Sequence, residues 1–449
     1  MERLAGLPKL LYSLYLLGPG SRRVLEHYAW IKWYRGSPED QRKAARDELF
    51  RKLVLFAYDK VPFYRRLYDE NRVDLKGING VEDVTKLPLV SREMMQEVPP
   101  KELRPRGFRK ISVSTSTSGS SGTPFVFCRS LSSVLFYGGQ LLNYLDSWGF
   151  SAKRKVYFIL YNADPTISFN LSYRSTFAVL NRRHSIDPLL PTDSIISRIE
   201  SDNPDLIISH PSTVEDIADW LLDRGRTYDE PIAFATGGEV LTERLLVKVA
   251  KAFPASQYFD FYNTVEMGLI AAQCACSDLL HVNDNGVILE KGEGVRDDTG
   301  EQYVKPIFTN LWNYGTPFIR YTGIEDLLQF AGEAACDCGS NGELIRTIVG
   351  RESDIIRSPD TKGISACNLM SAHADLPGVR RFQYVQRNPE ELILRYIPSE
   401  GADHETIRRE AEAVVRRTLG PSIRFTTEPV GEVYKSPKSL KVPIVVRQV

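Results

Sequence analysis

Between Ser114 and Pro124 the chain reads STSTSGSSGTP, a run of hydroxyls and glycines suited to two different tasks. Such a composition makes a flexible linker. It also makes a loop whose bare backbone N–H groups and hydroxyls close around phosphate oxygens. The flanks bear on the choice: FRKISVS before it and PFVFCRS after it alternate like strands, which predicts strand–loop–strand. It is not a phosphate loop of the strand–GxxxxGK[ST]–helix kind, since the lysine is missing and no helix pattern follows. A second chemically capable group lies in QCACSDLLH (273–281) and CDCG (336–339). Cys274 or Cys276, with His281, Cys336 and Cys338, would offer the thiolate and imidazole donors that a tetrahedral zinc takes. The plain alternative is reduced, unpaired thiols in a loop. Cys128 and Cys367 read as packing residues, and His27, His184, His210, His373 and His404 lack metal spacing.

These residues need a frame. SPEDQRKAARDELF opens a helix over 37–60, with Ser37 as N-cap, Pro38 at the first helical position and Leu49, Leu53, Phe56 and Ala57 at helical spacing. From 155 onward strand and helix patterns alternate. KVYFILY (155–161), DLIISH (205–210), PIAFATGGE (231–239) and QYFDFYN (257–263) read as strands; STVEDIADWLLDRG (212–225) and ERLLVKVAKAF (243–253) read as helices. This rhythm predicts a largely parallel α/β sheet, with ligands gathered at the carboxyl ends of its strands. The pattern breaks near 348–363. Beyond it FQYVQRNPEELILRY (382–396) predicts two strands around a turn, DHETIRREAEAVVRRTLG (403–420) an amphipathic helix, and LKVPIVVRQV a final strand.

A chain of 449 residues, 42% of them hydrophobic, has room for one large domain and a smaller one. Lys+Arg 57 balance Asp+Glu 57, so no global basic field draws it to nucleic acid. No apolar run reaches transmembrane length. The N-terminal MERLAGLPKLLYSLYLLGPGSRR reads as a first helix or a surface-lying segment, because Glu2 dilutes a signal peptide's positive start and no small-residue cleavage site follows. Six cysteines make no disulfide scaffold and fit a reducing, cytoplasmic setting.

TSGSSGTP closely resembles the phosphate-binding loop of the adenylate-forming superfamily, T-S-G-[ST]-T-G-x-P. Thr117, Ser118, Gly119, Ser120, Gly122 and Pro124 match, Ser121 replaces a threonine, and Thr123 fills the variable position. Phe125 stands where a lysine often follows, a lysine that phenylacetate–CoA ligases also lack. Further segments follow in family order. ATGGEVLTE resembles the G-A-E-x-x-T stretch lining the nucleotide and acyl pocket, through Gly238 and Glu239. FYNTVEMG is similar to Y-G-x-T-E-x-G, with Tyr262, Glu266 and Gly268 matching, Asn263 in place of glycine, and Val265 in place of a threonine that Thr264 precedes. PFIRYTGIEDL resembles R-Y-x-T-G-D and offers Asp326, or Glu325, to the ribose hydroxyls. VGRESDII resembles the hinge G-R-x-D-D, with Arg351 and Asp354 matching and Ser353 at the hinge aspartate. AYDKVPFYRRLYDE (57–70) looks like the opening helices of phenylacetate–CoA ligase relatives, including those found with capsular polysaccharide genes.

The resemblance implies an α/β fold: a large N-terminal adenylate-forming domain of mixed sheets and helices (1–350), and a small mobile α+β domain (351–449) hinged near 350–354. It implies AMP-forming activation of a small-molecule carboxylic acid by ATP·Mg²⁺, then transfer to CoA or, alternatively, to an amine, sugar or carrier protein. A degenerate nucleotide-binding relative is the non-catalytic alternative. The loop Thr117–Thr123 would hold the phosphates, Tyr262 would lie near the adenine, and Glu266 would hold Mg²⁺. In YKSPKSLKVPIVV, Lys441, or else Lys438, would stand for the G-K-x-R lysine that steadies the α-phosphate. CxCG also occurs in zinc-bearing relatives. Tyr161, Phe169, Tyr173 and Trp220 are candidates for an acyl pocket or for plain core, and a homodimer stays open.

Overall fold

A computed structural model describes residues 20–107, 112–116, 125–150, 154–160, 183–298, 300–339, 342–374, 376–436 and 441–447. Helix α1 (Ser21–Gly36) leads into α2 (Glu39–Lys60), which buries Phe50, Leu53, Val54 and Ala57 at the i, i+3, i+4, i+7 spacing of an amphipathic helix. The expected Ser37 N-cap is corrected: Ser37 ends α1, its hydroxyl donating to Trp33 O (2.8 Å) and its N–H to Tyr34 O (3.2 Å). The orphan carbonyls of α1 claim it, and Pro38 becomes the N-cap of α2. Helix α3 (Pro62–Glu70) carries Tyr64, whose hydroxyl donates to Pro317 O (2.9 Å) and accepts from the Ile319 N–H (3.0 Å). The N-terminal helices thereby brace the segment leading to Asp326.

After the short α4 (Arg92–Gln96), β1 (Ser112–Ser116) and β2 (Val126–Ser130) pair antiparallel, from Ser112 with Ser130 to Ser116 with Val126. The two strands anticipated around the Ser/Gly loop are therefore present. Residues 117–124 between them lie outside the described residues. Helix α5 (Leu131–Ser147) follows, with the Ser130 hydroxyl accepting from the Ser133 N–H.

Among the described residues the main sheet has eleven strands. Its parallel half holds β3 (Val156–Ile159), β4 (Arg183–Ile186), β5 (Leu206–Ser209), β6 (Ile232–Gly237) and β7 (Ser256–Thr264), in the order β7-β6-β5-β3-β4. Among the described residues the crossovers are α6 (Thr192–Asp202), α7 (Pro211–Leu222) and α8 (Glu243–Ala252). β3, β5 and β6 are buried along their whole length, as strands covered on both faces must be.

The expectation of a largely parallel sheet needs correction beyond Thr264. β8 (Gly268–Cys274), β9 (Ser277–Val282), β10 (Val287–Arg296), β11 (Gln302–Asn310), β12 (Asp326–Phe330) and β13 (Leu344–Arg351) all pair antiparallel. The chain forces this at 265–267 and 275–276: a parallel return needs a crossover of about a dozen residues, far more than these turns contain.

The remaining strands form a smaller unit. β14 (Ile355–Ser358) pairs with β15 (Thr361–Ser365), followed by α9 (Ala366–Ala372). β16 (Val379–Asn388), β17 (Glu391–Pro398), β18 (Arg424–Pro429) and β19 (Val445–Val446) form a sheet in the order β18-β17-β16-β19, covered by α10 (His404–Leu419). Ile356, Ile364, Leu369, Tyr384, Leu394, Ile407 and Val415 share a core drawn only from residues 356–445. Among the described residues no helix is long and apolar enough to cross a membrane.

Candidate active site

At the carboxyl end of β6 the chain turns through Gly237 and Gly238. A Cβ on Gly237 would meet Phe261 O at 2.4 Å, so only glycine fits beside β7. Gly238 has φ +82°, and a Cβ there would stand 3.0 Å from Lys441 Nζ and 3.2 Å from His210 Cε1. This bare α-carbon gives the half-buried lysine of the small unit a place against the large sheet. Glu239, next in line, accepts from the Ser212 N–H (2.8 Å), the Ser212 hydroxyl (3.0 Å) and the Val442 N–H (2.9 Å). Ser212 lies in the first turn of α7, where backbone donors lack helical partners and a carboxylate is favoured.

The opposite wall is built from three strands. Tyr262 on β7 is buried and donates its hydroxyl to Asp326 Oδ2 at 2.6 Å, at the start of β12. Burial, then the Asp326 charge beside it, raises the tyrosine well above its ordinary pKa, so it stays a donor. Arg351, at the end of β13, brings Nε to 3.7 Å from Asp326 Oδ1. Its backbone N–H donates to Asp354 Oδ2 (2.9 Å). Glu325 is exposed, and Asp326 is the carboxylate that faces the tyrosine.

The turn between β7 and β8 carries Glu266, 6% exposed. Burial pushes its carboxyl upward, while its own backbone N–H, Arg92 and Arg129 pull the other way. Asn310 Nδ2 holds the turn by donating to Glu266 O (2.9 Å) and Met267 O (3.3 Å), and Arg129 donates to Val265 O. The Thr264 hydroxyl accepts from the Met267 N–H (3.1 Å), which places it within the turn. Asn263 Oδ1 is buried with no hydrogen-bond partner among the described residues, an acceptor awaiting a donor.

Lys441 joins the walls electrostatically. Burial is the largest influence and lowers its pKa; Glu239, Asp326 and Glu266 raise it, and Arg351 lowers it. Residues scattered from 239 to 441 thus act on one ammonium group. Such an arrangement can stabilise negative charge at the lysine and bind a cation at a desolvated carboxylate.

Of the residues singled out in the sequence, Gly238, Glu239, Tyr262, Asn263, Thr264, Glu266, Asp326, Arg351 and Lys441 fall in this region. Thr117, Ser118, Gly119, Ser120, Ser121, Gly122 and Thr123 lie outside the described residues, as do Lys438, Tyr161, Phe169 and Tyr173. Trp220 packs at the edge of the parallel-sheet core, with Arg224 over its ring at 4.1 Å. His210 is the residue that spacing missed. Its Nδ1 lies 2.8 Å from Gly237 O, and burial, then Lys441, lowers its pKa. Its position just after β5, at the carboxyl end of a parallel strand, was the available signal.

The second cluster stands on the antiparallel half. Cys274 of β8, His281 of β9, Cys336 and Cys338 place their donor atoms within 4.8 Å of one another. Cys274 Sγ lies 3.5 Å from Cys336 Sγ, and Cys338 Sγ 3.6 Å from His281 Nε2. Metal–sulfur bonds of about 2.3 Å in a tetrahedron give edges of about 3.8 Å, so the set is close to metal-binding size. Cys276 is exposed, and its N–H points to Cys274 Sγ (3.3 Å). Burial pushes the Cys274 thiol up to about 12, a cost that a bound cation would offset.

No family model matches the chain. It is 25% identical over 334 residues to the phenylacetate-coenzyme A ligase of Thermus thermophilus, covering 71% of this chain and 72% of that protein. It is 22% identical over 251 residues to protein CapK of Staphylococcus aureus, 55% of this chain and 54% of the relative. In fold it is similar to 2-hydroxyisobutyryl-CoA ligase in the postadenylation state with R3-HIB-AMP: TM-score 0.76, 17% identity, 93% of this chain and 92% of the other. An open conformation of the same ligase, with 2-HIB-AMP and CoA, superposes at 0.61 over 92% of this chain and 93% of the other, at 16% identity.

Proposed function

The chain is a phenylacetate–CoA ligase-like member of the adenylate-forming superfamily, and from that premise we propose that it activates a carboxylic acid with ATP and passes the acyl group to CoA. The acid's carboxylate oxygen attacks the α-phosphorus, the bond to the bridging oxygen breaks, and pyrophosphate leaves an acyl-adenylate. The CoA thiolate then attacks the acyl carbon, a thioester forms, and AMP departs. The observation that carries this reading is the meeting of Lys441 with Gly238 and with the charges of Glu239, Asp326 and Glu266.

Each residue then has a task. Lys441 steadies negative charge building on the α-phosphate and the attacking carboxylate. Asp326, oriented by the Tyr262 hydroxyl, accepts from the ribose hydroxyls. Asn263 Oδ1 offers the nucleotide an unsatisfied acceptor. The loop Thr117–Thr123 holds the β- and γ-phosphates. Glu266 suits Mg²⁺, because a desolvated carboxylate gains from a hard cation and oxygen ligands are what magnesium takes. When bound, the ion would neutralise phosphate charge. Residues 350–354, where β13 ends and the small unit begins, form the hinge. Cys274, His281, Cys336 and Cys338 hold a structural zinc that joins β8 and β9 to the 336–339 segment, with four protein donors and no open position.

ATP–pyrophosphate exchange with a panel of carboxylic acids tests the reading, with Glu266→Gln and Lys441→Ala alongside. Exchange that depends on an acid and falls in both variants is the expected result. Mass spectrometry of the product identifies a CoA thioester; an amide or ester made in its place would reassign the acceptor. Absence of exchange with every acid would overturn the proposal.

A further inference from the structure

A lysine delivered by a small unit needs its backbone fixed as well as its charge. The residue after Lys441 donates its N–H to Glu239 Oε1 at 2.9 Å, across the boundary between the units. The Ser212 hydroxyl also reaches Oε1, and the Ser212 N–H reaches Oε2, so the carboxylate is held at the N-terminal end of α7 from the large unit's side. The same helix carries the small unit's docking contacts. Arg381, 7% exposed, places Nε 2.9 Å from Glu215 and Nη1 2.8 Å from Asp216, and Lys435 Nζ lies 3.0 Å from Asp216. Helix α7 thus supports Arg381 through its acidic turns and Glu239 through its first turn.

Building on the ligase reading above, we propose that Glu239 is a positioning residue for Lys441: it clamps the Val442 amide and sets the lysine against Gly238 only while the small unit is docked on α7. The resemblance assigned Glu239 to the nucleotide pocket, but the donors around its carboxylate come from the protein itself. The clamp is built to release. If the small unit turns away, Val442 leaves, yet Glu239 keeps both Ser212 donors and is not stranded as a buried, unpaired charge. The higher similarity to a postadenylation arrangement than to an open one, with nearly equal coverage, agrees with a docked small unit in this structure.

The test combines two readouts. In Glu239→Gln, exchange kcat falls about 10–100-fold, the loss that a slightly misplaced group produces, while KM for ATP stays unchanged. Adding Glu239→Gln to Lys441→Ala then costs nothing more, because the residue acts through the lysine. Amide hydrogen exchange at Val442 speeds up in Glu239→Gln, with the parallel strands unaffected. Val442→Pro, which removes the donor and also restricts the backbone at Lys441, likewise lowers kcat should the first variant fold poorly. A raised KM with unchanged kcat, losses that multiply with Lys441→Ala, or unaltered exchange at Val442 would each overturn the proposal. Faster Val442 exchange in a protein without ATP–pyrophosphate exchange would uphold the clamp and sink the ligase reading instead.

Discussion

The strand-end site and the cysteine cluster share one sheet and are built on opposite principles. In the cluster, four donor atoms from Cys274, His281, Cys336 and Cys338 face one another within 4.8 Å, and little room is left for anything but an ion. In the strand-end site, groups at the ends of β6, β7, β12 and β13 act on the small unit's Lys441 without completing one another. Glu266 is buried with its carboxyl pushed up, Asn263 Oδ1 lacks a partner among the described residues, and Lys441 is held at a lowered pKa. A closed donor set stabilises a fold; an incomplete one waits for substrate. The support differs accordingly. The cluster joins β8 and β9 to a single loop, whereas the site draws on two separately cored units.

The contrast breaks if the two regions affect the same measurement. The largest effect belongs to Lys441→Ala, which lowers pyrophosphate exchange about 10²–10³-fold, the usual loss for a transition-state charge stabiliser, with thermal unfolding scarcely altered. On the proposed reading the protonated lysine is the active form, and burial lowers its pKa below the ordinary value. Exchange should therefore decline on the alkaline side at a lower pH than an ordinary lysine would give, as a pH–rate profile will report.

Removing the proposed zinc should reverse the pattern. Elemental analysis of chelator-free protein should give one zinc per chain. Compared with protein at free zinc 100 times Kd, stripped protein should lose about 2.7 kcal/mol of stability, while exchange measured well below the unfolding temperature persists. Loss of exchange at full stability would place the metal in the chemistry instead.

Smaller changes sharpen the comparison within the site. Tyr262→Phe removes the donor to Asp326, worth about 1.5 kcal/mol for a bond to a charged group, and should weaken AMP binding roughly tenfold by calorimetry. The smallest effect concerns Asp260 of β7, whose carboxyl burial pushes up to about 7. The folded state then binds the extra proton between about pH 4 and 7. Stability contributed by this group is present below that window and is lost as pH rises through it. Asp260→Asn should flatten that slope in denaturant titrations; an unchanged slope would show that the carboxyl is better solvated.

Much of this was legible in the sequence because it is local. The short apolar runs in 155–161 and 205–210, the apolar spacing of α2 and α10, and the pair of strands around Ser114–Pro124 depend on residues a few places apart. The motif order singled out Tyr262, Glu266, Asp326 or Glu325, and Lys441 or Lys438 before any of them had a position in space. Local pattern failed where two segments compete for one residue: Ser37 serves α1 because that helix's last carbonyls reach it first. It failed again at the parallel-to-antiparallel change, since strand patterns carry no direction and only turn length decides it.

The amino-acid order by itself determined which segments become strands and helices, and which side chains could do chemistry. The tertiary structure decided which of them meet: Cys274 rather than Cys276 in the thiol cluster, Asp326 rather than Glu325 beside Tyr262, and His210 beside Gly238. It also decided that Glu239 spends its carboxylate on Ser212 and Val442. The physical reason is range: backbone preference acts over one turn or one pleat, whereas a partner 203 residues away is chosen by packing of the whole chain.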